Sequence, residues 1–133
     1  MDRALRQSIG GDHEITLPGG RTLTYRSVAK EGDITCLLPK MGKMMRCRIH
    51  SGILTENATQ AFARDVFMDR CIALEDAGYE ILLRVHDEVV VLVDEKDAEA
   101  KRAEVTEIMS TPPSWCKALP LGAEATISKF YTK

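Results

Sequence analysis

The sequence predicts an α+β fold: an antiparallel sheet with two helices packed on one face, preceded by an N-terminal β-hairpin appendage. Three observations carry that expectation. Ile81–Val85 and Val89–Val93 are runs of Val, Leu and Ile separated only by His86-Asp87-Glu88, so they read as the two strands of one hairpin. Stretches with helical patterning and their own start and stop signals flank that hairpin. The first fifty residues are instead rich in turn signals and poor in large apolar side chains. From Thr55 onward the order helix, hairpin, helix, strand fits one sheet with both helices on the same face.

Taken in order, Asp2 to Ser8 reads as a short helix stopped by Gly10-Gly11. His13–Leu17 and Arg21–Tyr25 flank Pro18-Gly19-Gly20 and read as a hairpin. Ile34–Leu38 and Met44–Ile49 form a second strand pair, joined around Pro39 to Gly42. Thr55 is the expected cap of a long helix with Glu56-Asn57 in its first turn and Gly78 at its stop. Asp94 is the expected cap of a helix to about Ser110, ended by Pro112-Pro113. Ala123 to Tyr131 reads as a last strand. The expected division is residues 1–52, the β-rich appendage, and 53–133, the sheet-and-helix body.

Composition narrows the function classes. The 133 residues are 44% hydrophobic and 29% charged, which suits one soluble domain or a piece of a larger one. No apolar run approaches the roughly 20 residues of a membrane span, and the N-terminus lacks a signal-peptide pattern. Cys36, Cys47, Cys71 and Cys116 are too widely spaced for a zinc knuckle and read as reduced thiols in a cytoplasmic protein. A net charge of −2 does not advertise nucleic-acid binding, so any such role needs basic residues gathered locally. They are: Lys40, Lys43, Arg46, Arg48 and His50 fall within residues 40–50, which contain no acid. On a strand over Met44–His50, Arg46, Arg48 and His50 share one face. That pattern suits contact with a phosphate backbone, and equally an edge strand guarded by charge.

Two further features each have two readings. His86-Asp87-Glu88 is either a polar turn or a rigid, exposed tip that offers a carboxylate to a metal ion. On the long helix, Leu54, Ala58, Ala61, Phe62, Met68 and Ile72 form an apolar stripe with Asp65 inside it and Asp69 beside it. Either the two carboxylates reach solvent or pair with Arg64 and Arg70, or that face looks toward a polar site.

Several segments together resemble the palm region of family A (DNA polymerase I-type) DNA polymerases, bacteriophage and prophage members in particular. Val85-His86-Asp87-Glu88-Val89 is similar to the family's motif C, and Thr55-Glu56-Asn57 through Gln60-Ala61 to Ala63-Arg64-Asp65 to the helix before it. Ile15-Thr16-Leu17-Pro18-Gly19-Gly20-Arg21 resembles a Leu-Pro-Ser-Gly-Arg hairpin of the phage enzymes. Trp115-Cys116-Lys117-Ala118-Leu119-Pro120-Leu121 resembles their C-terminal tail. The match runs in the right order along nearly the whole chain, yet corresponds to only the last fifth or so of such an enzyme. Motif A, with the other metal-binding aspartate, and the nucleotide-holding fingers helix have no counterpart. His50-Ser51-Gly52 stands where relatives often carry Tyr-Gly-Gly.

The resemblance implies a palm-type sheet and a share in two-metal nucleotidyl transfer during DNA replication, in a bacterial or phage-infected cell. Asp87 would be the magnesium ligand, Glu88 would support or share the site, and His86 would hydrogen-bond the primer terminus. Gln60 matches a family glutamine that reaches the minor groove, while Lys43, Arg46, Arg48 and His50 would contact primer–template DNA. Deoxynucleoside triphosphate would bind only with the missing fingers, so the isolated chain should not polymerise DNA. A second polymerase chain or a homo-oligomer is the expected partner, with no membrane involved. The competing expectations are a non-catalytic palm-fold module that binds DNA or a replication protein, and an inactive prophage remnant.

Overall fold

The computed structural model describes residues 11–131, so the short helix expected over Asp2–Ser8 lies outside the described residues. The chain divides into two compact units, Met1–Phe62 and Ala63–Lys133. The fold is α+β, as the sequence predicts: a four-stranded antiparallel sheet, a separate two-stranded hairpin and two helices.

In the first unit, strands β1 (Gly11–Thr16), β2 (Thr22–Glu31), β3 (Asp33–Lys40) and β4 (Lys43–Arg48) follow one another in a meander. Both expected hairpins form. They are joined into one sheet because β2 continues past Tyr25 and pairs with β3. The register slips between Arg26 and Ala29, where Ser27 adopts φ +50. Asp12 Oδ1 accepts the Ser27 N–H at 2.9 Å, so the amide displaced by the bulge keeps a partner. Tyr25, Val28, Cys36 and Ile49 form the core, with Ile15, Leu23, Leu38 and Leu54 packed around them.

Leu54 belongs to helix α1 (Ser51–Asp76), which starts four residues before the expected cap at Thr55. The His50 carbonyl already accepts the Leu54 N–H at 3.1 Å. Ile49 is anchored in the sheet core, and the chain turns directly from it into the helix. Ser51-Gly52, loop-like in composition, is thereby drawn into the first turn, tertiary anchoring overriding local preference. Asn57 Nδ2 then donates to the Tyr25 hydroxyl at 3.2 Å, and Arg21 Nη2 to the Ala61 carbonyl at 2.8 Å.

The far end of α1 stops where expected. Gly78 adopts φ +88, a conformation that costs a side-chain-bearing residue about 1–2 kcal/mol. Its N–H donates to Glu75 O at 2.9 Å and the Tyr79 N–H to Leu74 O at 3.0 Å, the paired bonds of a Schellman cap. Leu74 and Tyr79, brought together by that cap, join Val105 as the buried centre of the second unit.

Around that centre pack Ile81, Val89, Val91 and Val93 from the hairpin side and Ile108 and Met109 from helix α2 (Ala98–Ser110). The hairpin consists of β5 (Glu80–Val85) and β6 (Glu88–Leu92). A 3-10 turn, Glu95–Asp97, leads into α2; the Asp94 carbonyl accepts the Asp97 N–H at 3.0 Å, and the cap position of α2 is Asp97 rather than the expected Asp94, neither with a side-chain cap bond. Pro113, fully buried, follows the end of α2.

Two expectations need correction. The buried residues of α1 are Val66, Phe67, Cys71 and Leu74, whereas Ile72 is 53% exposed. The packed stripe is therefore displaced around the helix from the one that includes Met68 and Ile72: Phe67, Cys71 and Leu74 share helical spacing, and the Schellman cap brings Leu74 against Tyr79. The strand expected over Ala123–Tyr131 does not form. Ser128 Oγ donates to Phe130 O at 2.6 Å and accepts the Phe130 N–H at 3.2 Å, local bonds that occupy backbone groups a ladder would need. No helix among the described residues is long and apolar enough to cross a membrane.

Candidate functional site

In the second unit, β5 and β6 pair in antiparallel register from Glu80↔Leu92 to Val85↔Glu88, leaving His86 and Asp87 as a two-residue turn. His86 adopts φ +54, a conformation rare for a non-glycine residue although His is enriched there. Such backbone outliers persist where flanking structure over-determines them, and here a ladder enters and leaves the turn. His86, Asp87 and Glu88 are all exposed.

Asp87 makes no ion pair among the described residues. Arg84, the nearest cation in sequence, pairs instead with Glu75 on α1. The Asp87 carboxylate is thus held on a short, ladder-supported turn and faces solvent. Glu88, opposite Val85 on β6, lies beside the Tyr131 phenol. Burial, then the Glu88 charge and its hydrogen bond, push the Tyr131 hydroxyl above its ordinary pKa. No sequence pattern linked these two residues. Among the described residues no group of three or more His, Cys, Asp or Glu side chains could hold a metal ion. Asp87 and Glu88 are hard oxygen donors of the kind magnesium accepts, but on this chain they make at most part of a ligand set.

The carboxylates of α1 answer the second open reading for Asp69. It accepts from Arg70 Nε at 3.1 Å, from Arg70 Nη2, and from the indole Nε1 of Trp115 at 3.0 Å. Burial acts to raise the Asp69 pKa. The hydrogen bonds from Arg70 and Trp115, with the Arg70 charge, outweigh it and hold the carboxyl below its ordinary range. Asp69 therefore ties the C-terminal segment to the helix, and a donor-only indole in the tail was the one sequence sign of a partly buried acceptor.

A pH test follows. A carboxyl lowered in the folded state stabilises above its unfolded pKa, and that contribution is lost as pH falls through the folded value. Trp115 fluorescence should stay constant from neutral pH to about 4 and change only at more acid pH. Asp69→Asn keeps an oxygen for the indole but has no charge to lose, so its acid-linked step should vanish. An unchanged acid step in that variant would remove Asp69 as its cause.

The basic residues of the first unit are divided by the register of β4. Thr35↔Arg48 and Leu37↔Arg46 lie on one face, whereas Cys36↔Cys47, Leu38↔Met45 and Lys40↔Lys43 alternate to the other. Arg46 and Arg48 are co-facial, as the alternation predicts, with Lys43 opposite them. Arg46 Nη1 donates to Ser27 O and Thr35 Oγ1, each at 3.1 Å, and Arg48 Nη2 lies 3.1 Å from Asp33 Oδ1. His50 lies beyond the strand, and its ring sits so close to Gly52 that a Cβ there would come within 3.0 Å of it. Gln60, exposed on α1, donates to Glu56 Oε1 at 3.2 Å.

The chain is 33% identical over 132 residues to a DNA polymerase of Bacillus phage SP02, covering 90% of this chain and 19% of that protein. It thus spans about a fifth of the length of this relative. No family model matches the chain. No solved structure matches it.

Proposed function

We propose that this chain is a palm segment of a family A DNA-directed DNA polymerase, contributing one metal-binding carboxylate and primer–template contacts to nucleotidyl transfer. The observation that carries the reading is Asp87: an exposed carboxylate without an ion pair among the described residues, fixed on a two-residue turn. It lies in a chain similar to a phage DNA polymerase. Asp87 would hold magnesium, Glu88 would support that site, and His86 would position the primer terminus. Magnesium there would favour ionisation of the primer 3′-hydroxyl and offset charge on the reacting phosphates. Arg46 and Arg48 on one face of β4, Lys43 on the other, and His50 and Gln60 near the start of α1 would contact the duplex backbone and minor groove. A partner chain, or the remainder of the polymerase, would supply the fingers, the second aspartate and the nucleotide.

Complementation tests this reading. The chain alone should extend no primer, because Asp87 lacks the further carboxylates that a two-metal site requires. Mixed with a polymerase fragment carrying the fingers and the upstream palm aspartate, it should restore extension. Stable association of the two chains without any extension would overturn the proposal.

A further inference from the structure

We propose that the tip of the β3–β4 hairpin is a DNA-gripping point, Met41 entering the minor groove while Lys40 and Lys43 hold phosphates on either side. The choice of DNA as partner rests on the polymerase reading above; the hairpin itself supplies the rest. Met41 is 96% exposed, the most exposed large apolar side chain among the described residues. It also sits at φ +50, followed by Gly42 at φ +75. Two successive residues at positive φ make the turn that favours Asn-Gly, in which methionine has no local advantage. Neither the backbone nor the core explains a methionine there.

The flanking residues are also unfavourable by themselves. Lys40 and Lys43 are directly opposite in the ladder, a like-charge pair that weakens a hairpin. Asp33, the acid on β3, is occupied by Arg48 at 3.1 Å. One four-residue turn therefore carries an exposed apolar point between two cations, held out on a six-pair ladder. Duplex DNA relieves both costs together. Its phosphates satisfy the lysines, whose flexible stems suit backbone contact, and a base step offers the thioether an apolar slot, as wedge side chains use in minor-groove binding. A purely acidic protein surface would satisfy only the lysines. An anionic bilayer would accept both, but Met44 and Met45, the half-exposed methionines of this hairpin, alternate to opposite faces of β4, so no single face offers a bilayer all three.

The test is fluorescence anisotropy of a labelled primer–template duplex with the full chain. Met41→Asn suits the turn, so the variant should melt at the same or a higher temperature. It should nevertheless bind DNA about tenfold more weakly, the scale expected for losing one buried apolar side chain, with an unchanged salt slope. The double variant Lys40→Gln, Lys43→Gln should instead flatten the log–log salt dependence by about 1.8, two phosphates at roughly 0.9 each. Met41→Asn binding within twofold of the unaltered chain would overturn the inference. So would binding to vesicles of phosphatidylserine and phosphatidylcholine with none to duplex. Failure of complementation alongside the expected Met41 effect would remove the polymerase reading and leave the DNA contact standing. Restored extension with no Met41 effect would do the reverse.

Discussion

Asp87→Asn should reduce primer extension by the complemented polymerase about a thousandfold or more, while the two chains should still assemble. The side chain is exposed and makes no ion pair among the described residues, so neither packing nor a structural salt bridge depends on its charge. The amide preserves its size and one oxygen, and the two-residue turn stays held by the Val85↔Glu88 rung of the ladder. On the proposed reading, what would be lost is the negative charge that holds a divalent ion. A ligand removed from a two-metal site costs several kcal/mol of transition-state stabilisation, and each 1.36 kcal/mol is tenfold in rate. Steady-state extension and a pull-down of the partner fragment read the two halves of the statement separately. A near-normal rate would mean that the His-Asp-Glu turn is only a turn.

The hairpin that carries Asp87 was legible because its signal is local. Two runs dominated by Val, Leu and Ile around three ionisable residues leave the chain few alternatives, and the ladder from Glu80 to Leu92 follows that pattern. The end of α1 was legible for the same reason, since Gly78 alone supplies the φ of +88 that the cap needs. What escaped the sequence depends on tertiary anchoring, on local bonds that compete with a ladder, or on a distant partner. The start of α1 is set by Ile49 in the sheet core, and the Ser128 bonds replace the last expected strand with a local turn. Asp69 could be called a stripe anomaly from spacing, but its partner, Trp115, lies 46 residues away. The basic run was visible as composition. Alternation already put Arg46 and Arg48 on one face; that β4 begins at Lys43, paired with Lys40, places that lysine on the other.

Which face of α1 is buried also decides the second large effect. Leu74→Ala should destabilise the second unit by about 2–5 kcal/mol, the range for deleting a fully buried leucine whose neighbours cannot wholly close the space. Leu74 is 0% exposed and packs with Tyr79 and Val105, both held by backbone that the substitution does not alter. A unit of about 70 residues has roughly 4–10 kcal/mol of stability, so this loss would consume a large part of it. Trp115, the sole tryptophan, lies in that unit and reports its unfolding in urea. The midpoint should fall sharply with the slope unchanged. Ile72→Ala provides the contrast. Spacing alone puts Ile72 on the apolar stripe, but at 53% exposure its loss should change stability by less than about 1 kcal/mol. Equal effects from the two variants would mean that α1 does not turn Leu74 inward and Ile72 outward. A large Leu74 effect beside a small Ile72 effect identifies Phe67, Cys71 and Leu74, rather than Met68 and Ile72, as the stripe turned toward the core.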